Sequence, residues 1–398
     1  MKNPQNKQAV AFLSGSAGEL DWILPILDYL SKQEFQIKIV YLSRHVQKSV
    51  NHNRMLRDYI NQANNGIETI FCGGYFAELI EKIGYLMHRI NIKLKKPKLL
   101  SIFFYIIEKA CETVFIINLP KRILQNEGAG TIIFSESPSL RRPRDKWIKQ
   151  MFNKSIFFYC PHSPHIYALD LDQKYPKPDL IDFQKKNFLL LGHPADYFPV
   201  NDEDEIASPD LEKIFLGHPK YSNGWLHSRQ EEARSFRSSF SKRNETNILV
   251  ISRGHGSYID EDSQRDLVET TAQVIHNRLS NYNLLVKKHP RETDSHWDKI
   301  INDYPSIRVV EDHILDIASK VDFAITFWSS GAIDCATLGV PTIEFYDPNK
   351  FPKQQISEGN RFTTIYRKLG LVHAADDKKE LAKVVSVLLR RDPSMQLE

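Results

Sequence analysis

The sequence predicts an α/β protein of two domains, each a parallel sheet with helices on both faces. Three observations predict it. Short apolar or β-branched runs alternate with longer segments at helical spacing along both halves of the chain. The length, 398 residues, exceeds what one hydrophobic core serves and suits two domains of roughly 150–200 residues. Several strand-like runs end in turns rich in Gly, Ser and charge, where ligands bind in parallel sheets.

In the first half, residues 9–13 read as a strand, and residues 19–30 as a helix with Leu20, Ile23, Leu24, Leu27 and Leu30 on one stripe. Further strands are expected at 36–42, 67–71, 131–134 and 156–159. Between the third and fourth strands a helical region runs from about 76 to 126. Within 82–98, Lys82, His88, Arg89, Lys93, Lys95, Lys96 and Lys98 interleave with Ile83, Leu86, Met87, Ile90 and Ile92. Such a basic amphipathic segment can lie on an anionic membrane surface, or pack on the sheet with a solvated basic face.

Residues 165–245 read as irregular and polar, interrupted by two short strands at 188–191 and 214–216, each followed by Gly-His-Pro. The domain boundary is therefore expected at 240, giving domains 1–240 and 241–398. The second domain predicts strands at 247–251, 283–286, 307–310, 323–327 and 341–346. Helices alternate with them at 262–279, 314–319, 332–338 and 377–391.

Net charge is only +4, from 53 basic and 49 acidic residues, which excludes a global polyanion-binding surface; no nucleic-acid partner is expected. Residues 1–8 are polar and lack the apolar core of a signal peptide. The apolar stretch 99–119 is broken by Glu108, Lys109 and Glu112, which argues against a membrane span. Cys72, Cys111, Cys160 and Cys335 show no C-x-x-C spacing and read as reduced thiols. These features together predict a cytoplasmic protein.

Four turns carry the candidate chemistry. Ser14–Glu19 follows the first strand; Glu19, with Asp21 as competitor, can take a proton from a hydroxyl, and Glu19 equally suits a helix's first turn. After the fourth strand, Glu136 precedes Arg141 and Arg142, a pairing that fits an acidic or phosphorylated acceptor or a solvated loop. Arg253, Gly254 and His255 follow the first strand of the second domain and can reach a phosphate. Finally, Lys288, His289 and Pro290 close one strand, while Ser329, Ser330 and Gly331 close another, offering charge-assisted donors and hydroxyls to one anion. Asp-x-Asp occurs at 170/172, 202/204 and 260/262, none directly after a nucleotide-binding strand, so no metal site is assigned.

At these residues the chain resembles the GT-B transferases that use CMP-activated sugar acids, the Kdo transferases and bacterial sialyltransferases. Ala17-Gly18-Glu19 matches the Kdo transferases' small-residue loop ending Gly-Glu, and Ser135-Glu136-Ser137-Pro138 their Glu-containing turn. His289-Pro290-Arg291-Glu292 is similar to their His-Pro-Glu segment, with one Arg inserted. His289-Pro290 and Ser329-Ser330 resemble the sialyltransferases' His-Pro and Ser-Ser/Thr pair, whose implied role is to hold CMP. Lys287-Lys288-His289-Pro290 also resembles a loop of CDP-glycerol polymerases.

The resemblance implies two Rossmann-like domains facing a central cleft. The first would bind the acceptor through Glu136, Arg141 and Arg142, with Glu19 or Asp21 as base. The second would bind a nucleotide-sugar donor through Arg253, Gly254, Lys288, His289, Pro290, Ser329, Ser330 and Gly331. The implied activity is an inverting, metal-independent transfer of a sugar to a glycan or lipid-linked acceptor of the bacterial surface. No cofactor is needed, and residues 82–98 would face the inner side of the plasma membrane. A UDP-N-acetylglucosamine 2-epimerase-like enzyme and a non-catalytic nucleotide-sugar-binding protein are the competing readings.

Overall fold

A computed structural model describes residues 7–62, 66–72, 131–136, 143–161, 185–192, 211–235, 245–255, 259–289, 292, 295–350 and 363–390, with 79, 106 and 110 singly. The amphipathic segment 82–98 lies outside the described residues, as do Cys111, Arg141, Arg142 and Pro290. The chain divides into two compact units, the first holding most of the residues up to Lys220 and the second those from Tyr221 on.

The first unit contains β1 (Gln8–Leu13), α1 (Ala17–Lys32), β2 (Gln36–Tyr41), α2 (Arg44–His52), α3 (Arg54–Asn61) and β3 (Ile67–Phe71). After these come β4 (Thr131–Ser135), α4 (Pro143–Met151), β5 (Ile156–Tyr159), β6 (Asn187–Leu191) and β7 (Leu211–Phe215). The strands form one sheet in the order β3-β2-β1-β4-β5-β6-β7, parallel throughout. All six residues of β1 are buried, because a parallel strand is covered on both faces and so reads as an apolar run. One face packs Val10, Phe12, Val40, Ile133, Phe157 and Leu189 against Trp147, Ile148 and Phe152 from α4 and its end.

The second unit contains α5 (Asn223–Ser235), β8 (Thr246–Ile251), α6 (Glu261–Arg278), β9 (Tyr282–Lys287), α7 (His296–Ile300), β10 (Ile307–Val309) and α8 (Ile314–Ala318). It continues through β11 (Phe323–Thr326), α9 (Gly331–Thr337), β12 (Thr342–Phe345), α10 (Ile365–Lys368), β13 (His373–Ala375) and α11 (Lys378–Leu389). Its sheet order is β10-β9-β8-β11-β12-β13, again parallel. Alternate strand residues face opposite layers. Ile248, Val250, Leu284, Phe323 and Ile343 join the core under α6 and α11, while Leu249, Ile251, Leu285 and Ala324 join the core under α8 and α9.

Both sheets are thus doubly wound Rossmann-like arrangements. In each, the strand order turns back beside the first strand, between β1 and β4 and between β8 and β11. The crevice at the carboxyl ends beside such a reversal is where ligands of open α/β sheets bind.

The segment 223–235, irregular by its sequence pattern, is the helix α5, and it packs against α8. Arg229 of α5 is nearly buried and pairs with Asp316 of α8 at 3.4 Å. No helix among the described residues is long and apolar enough to cross a membrane.

Candidate functional site

In the first unit the turn between β1 and α1 is built around Glu19. Ser16 caps α1, its hydroxyl accepting from the Gly18 N–H at 3.2 Å. Glu19, three residues on, completes a capping box. Its carboxylate accepts from the main-chain N–H of Ser14 at 2.7 Å, of Ser16 at 3.2 Å, and of Gly15. These are the donors a strand-to-helix turn would otherwise leave without partners. Glu19 is buried, so the residue expected as a base is also the staple of its own loop.

Gly15 is bare for a reason. A side chain there would stand 2.5 Å from Glu19 Oε1 and 3.5 Å from Glu136 Oε2. Glu136, half-buried just beyond β4, thus shares the flank of Gly15 with Glu19, at the reversal point of the first sheet.

Asp21 has a different partner. It is buried and pairs with the buried Lys220 at 2.5 Å. Lys220 belongs to the chain leaving β7, which runs past Gly192 toward α1. On the way the His218 ring meets Trp22 edge-on, with ring centroids 4.3 Å apart. The same imidazole occupies the place a Gly192 side chain would take, 1.8 Å from that Cβ position. Each of the two Gly-His-Pro turns supplies one side of this contact, which their sequence alone does not show.

In the second unit Arg253, the first cation after β8, turns toward the loop after β11. Its guanidinium lies 4.5 Å from the centre of the Trp328 ring and donates to the Trp328 carbonyl at 3.1 Å. Trp328 is fully buried and holds φ at 46°, a left-handed conformation rare outside glycine. The strained residue reverses the chain so that Ser329 and Ser330 follow at once. The Ser329 N–H donates to Thr326 Oγ1 at 3.1 Å, and its hydroxyl accepts from the Gly331 N–H at 3.3 Å. Ser330 makes no capping bond of its own. Gly331 is required by packing, since a Cβ there would lie 2.9 Å from Ile314 Cδ1 and 3.0 Å from Ile251 Cδ1.

The loop after β9 is organised by Glu292, the glutamate of the His289-Pro290-Arg291-Glu292 segment, for which the sequence assigned no role. Glu292 accepts from Ser252 Oγ at 3.1 Å, Gln264 Nε2 at 3.4 Å, Ser295 Oγ at 2.5 Å and the His289 N–H at 3.2 Å. Gly254 gives it room, since a Cβ there would approach Glu292 to 3.1 Å. His289 is half-buried beside this carboxylate. Lys288 pairs with Asp298 through contacts of 3.0 and 2.9 Å. Asp298 is half exposed, and such a pair contributes at most about 1 kcal/mol, so an anion can recruit the ammonium. The loops after β9 and β11 are not on neighbouring strands. β8 runs between them, and its turn, Ser252 to His255, separates the cationic side from the hydroxyl side.

Asp260, of the third Asp-x-Asp, caps α6 by accepting from the Ser263 N–H at 2.7 Å. That bond holds its carboxyl below the ordinary value. Asp262 pairs with Arg265 on the surface at 2.9 Å.

No protein-family model matches the chain, and no curated protein does. Solved structures do match. A protein described as a UDP-N-acetylglucosamine 2-epimerase from Listeria monocytogenes aligns over 98% of this chain and 90% of its own, with TM-score 0.54 and 11% identity. The wall teichoic acid polymerase TagF aligns over 99% and 82%, with TM-score 0.51 and 11% identity. The glycotransferase of kitacinnamycin aligns over 99% and 93%, with TM-score 0.50 and 14% identity. At such identities the likeness establishes the fold: the two Rossmann-like units are the arrangement these GT-B transferases and epimerases share.

Proposed function

We propose that the chain is an inverting glycosyltransferase whose second unit holds the phosphate of a nucleotide-activated sugar and whose first unit activates the acceptor hydroxyl. One observation carries this reading. At the reversal point of the second sheet, a strained Trp328 held by Arg253 presents Ser329 and Ser330, and the turn after β8 separates them from Lys288 and His289. Strain at a fully buried residue persists only where its surroundings enforce it, and it concentrates at sites that hold ligands. Two adjacent hydroxyls and a recruitable ammonium suit an anion that gains charge as its bond to the sugar breaks.

The donor we favour is a CMP-activated sugar acid, on the strength of the His289-Pro290 and Ser329-Ser330 motifs. The acceptor would be a bacterial surface glycan or its lipid-linked precursor, with Arg141 and Arg142 meeting its acidic groups. Residues 82–98 would rest on the inner face of the membrane. The first unit, mostly the residues up to Lys220, would form the acceptor half, and the second, from Tyr221 on, the donor half, so the division would fall ahead of α5 rather than at the expected residue 240.

A thermal-shift screen against CMP, CDP, UDP, GDP and dTDP tests the donor. A ligand at a hundredfold excess over its dissociation constant adds about 2.7 kcal/mol of stability. CMP should stabilise the wild type, and Ser330→Ala with His289→Ala should abolish the shift. Stabilisation by UDP alone would remove the sugar-acid donor and favour the epimerase. Absence of any shift would remove the nucleotide-sugar reading.

A further inference from the structure

We infer that Thr326 is a positioning residue of the donor site, whose buried hydroxyl sets the turn that leaves Ser330 to the donor phosphate. This rests on the reading that the turn after β11 holds that phosphate, and it names the residue that shapes the turn. Thr326 is the last residue of β11 and is fully buried. In register it lies between Ile251 of β8 and Glu344 of β12, so its side chain faces the layer of α8 and α9. A hydroxyl buried there is costly unless it is bonded, and an apolar β-branched residue would fill the same place in the strand. The bond it makes is to the turn: Oγ1 accepts from the Ser329 N–H at 3.1 Å.

That bond spans Trp328, the residue with φ of 46°. Arg253 holds the Trp328 carbonyl at 3.1 Å, and Thr326 holds the next N–H along the chain. A left-handed conformation at a non-glycine residue persists only where its surroundings over-determine it, and these two bonds do so.

The two serines, alike in the sequence, then separate. Ser329 is engaged by the fold through its N–H, through its hydroxyl, which accepts from the Gly331 N–H at 3.3 Å, and through its carbonyl, which accepts from the Ala332 N–H at 3.0 Å. Ser330 gives its carbonyl to the Ile333 N–H at 3.0 Å. Its own N–H and hydroxyl have no partner among the described residues, and it is half-buried. An N–H and an O–H on one residue can both donate to the oxygens of one phosphate. Without the Thr326 bond the turn can rotate about Trp328 and carry Ser330 with it.

Titration calorimetry of the full chain with CMP, CDP, UDP, GDP and dTDP tests this. Thr326→Val should weaken the nucleotide that wild type binds at least about tenfold, and Thr326→Ser, which restores the acceptor, should stay within about threefold. Thr326→Ala should show the same loss, and it keeps the test open if the valine variant does not fold. Ser330→Ala should lose a similar amount, and Thr326→Val with Ser330→Ala should lose no more than either alone, because both losses pass through one contact. Thr342→Val is the control for burial alone. Thr342 is fully buried on the same face, and its hydroxyl donates to the Val340 carbonyl at 3.0 Å. That variant should melt earlier with affinity unchanged. Affinity of the folded Thr326→Val or Thr326→Ala within threefold of wild type would overturn the assignment, as would additive losses in the double variant. A wild type that binds none of the five nucleotides would instead overturn the donor reading, and this assignment with it.

Discussion

Replacing Asp21 by Asn should cost the first unit more than any surface change, and the size follows from burial. Asp21 and Lys220 are 7% and 5% exposed, and their charged atoms are 2.5 Å apart. Removing one member of such a pair leaves the other charge buried without compensation, which costs about 3–5 kcal/mol. For a unit of roughly 150–250 residues each kcal/mol moves the midpoint by about 2–4 °C, so the transition should fall by about 6–20 °C. The double variant Asp21→Leu with Lys220→Met keeps the volume apolar and should recover much of that loss, because a buried pair is about neutral against a well-packed apolar replacement. Calorimetry of the wild type, both single variants and the double gives the coupling energy. Additive single-variant costs, or an Asp21→Asn cost below about 1 kcal/mol, would mean that the pair is not dry and that the strap after β7 is not pinned to α1 by charge. A normal melt with lost turnover would return Asp21 to the list of bases.

Gly192→Ala should force the His218 ring off its seat, costing about 1–3 kcal/mol or more, and adding His218→Ala should cancel part of the loss; strictly additive urea denaturation would refute the packing account. Arg253→Lys keeps the charge but loses the guanidinium's contact over the Trp328 ring and its bond to the Trp328 carbonyl; nucleotide affinity by titration calorimetry should fall at least about tenfold, and unchanged affinity would separate Arg253 from the Ser329–Ser330 turn. Glu344, in β12, is fully buried, and desolvation raises its pKa despite the opposing pull of Arg367, 2.9 Å away. A carboxyl whose folded value is raised binds its proton more tightly when folded, so its contribution is fully present below the unfolded value and is lost as pH rises through the folded one. Glu344→Gln should therefore gain stability relative to wild type between pH 4.5 and pH 8 in urea denaturation, and a pH-independent difference would refute the sign.

The strands were legible because parallel sheets covered on both faces leave continuous apolar runs. Residues 67–71 and 156–159 coincide with β3 and β5 to the residue. β7 is Leu211–Phe215 rather than the expected 214–216, since it puts charge among its apolar residues and is nowhere fully buried. α5 was missed because Trp225 and Leu226 alone supply no stripe, and its place is set by Arg229 meeting Asp316. β13 is three residues long, below what a pattern can signal. Of the site, the order of the turns was readable and the state of their side chains was not. No spacing rule links Asp21 to Lys220, or Arg253 to a carbonyl on Trp328, because those meetings are made by the sheet.

The two units solve one problem in the same way. A turn at the carboxyl end of a parallel strand exposes main-chain N–H groups that neither sheet nor helix satisfies, and buried donors without acceptors are costly. In the first unit Glu19 folds back onto Ser14, Gly15 and Ser16; in the second Glu292 folds onto His289 and gathers Ser252 and Ser295. Beside each carboxylate sits a glycine, Gly15 or Gly254, whose missing side chain gives it room. An acidic residue at such a turn is therefore expected on structural grounds before any chemistry is assigned. It follows that loss of activity on replacing Glu19 or Glu292 does not identify a base. Only a loss that leaves the melting temperature in place, and that an external carboxylate repairs, separates the proton acceptor from the staple.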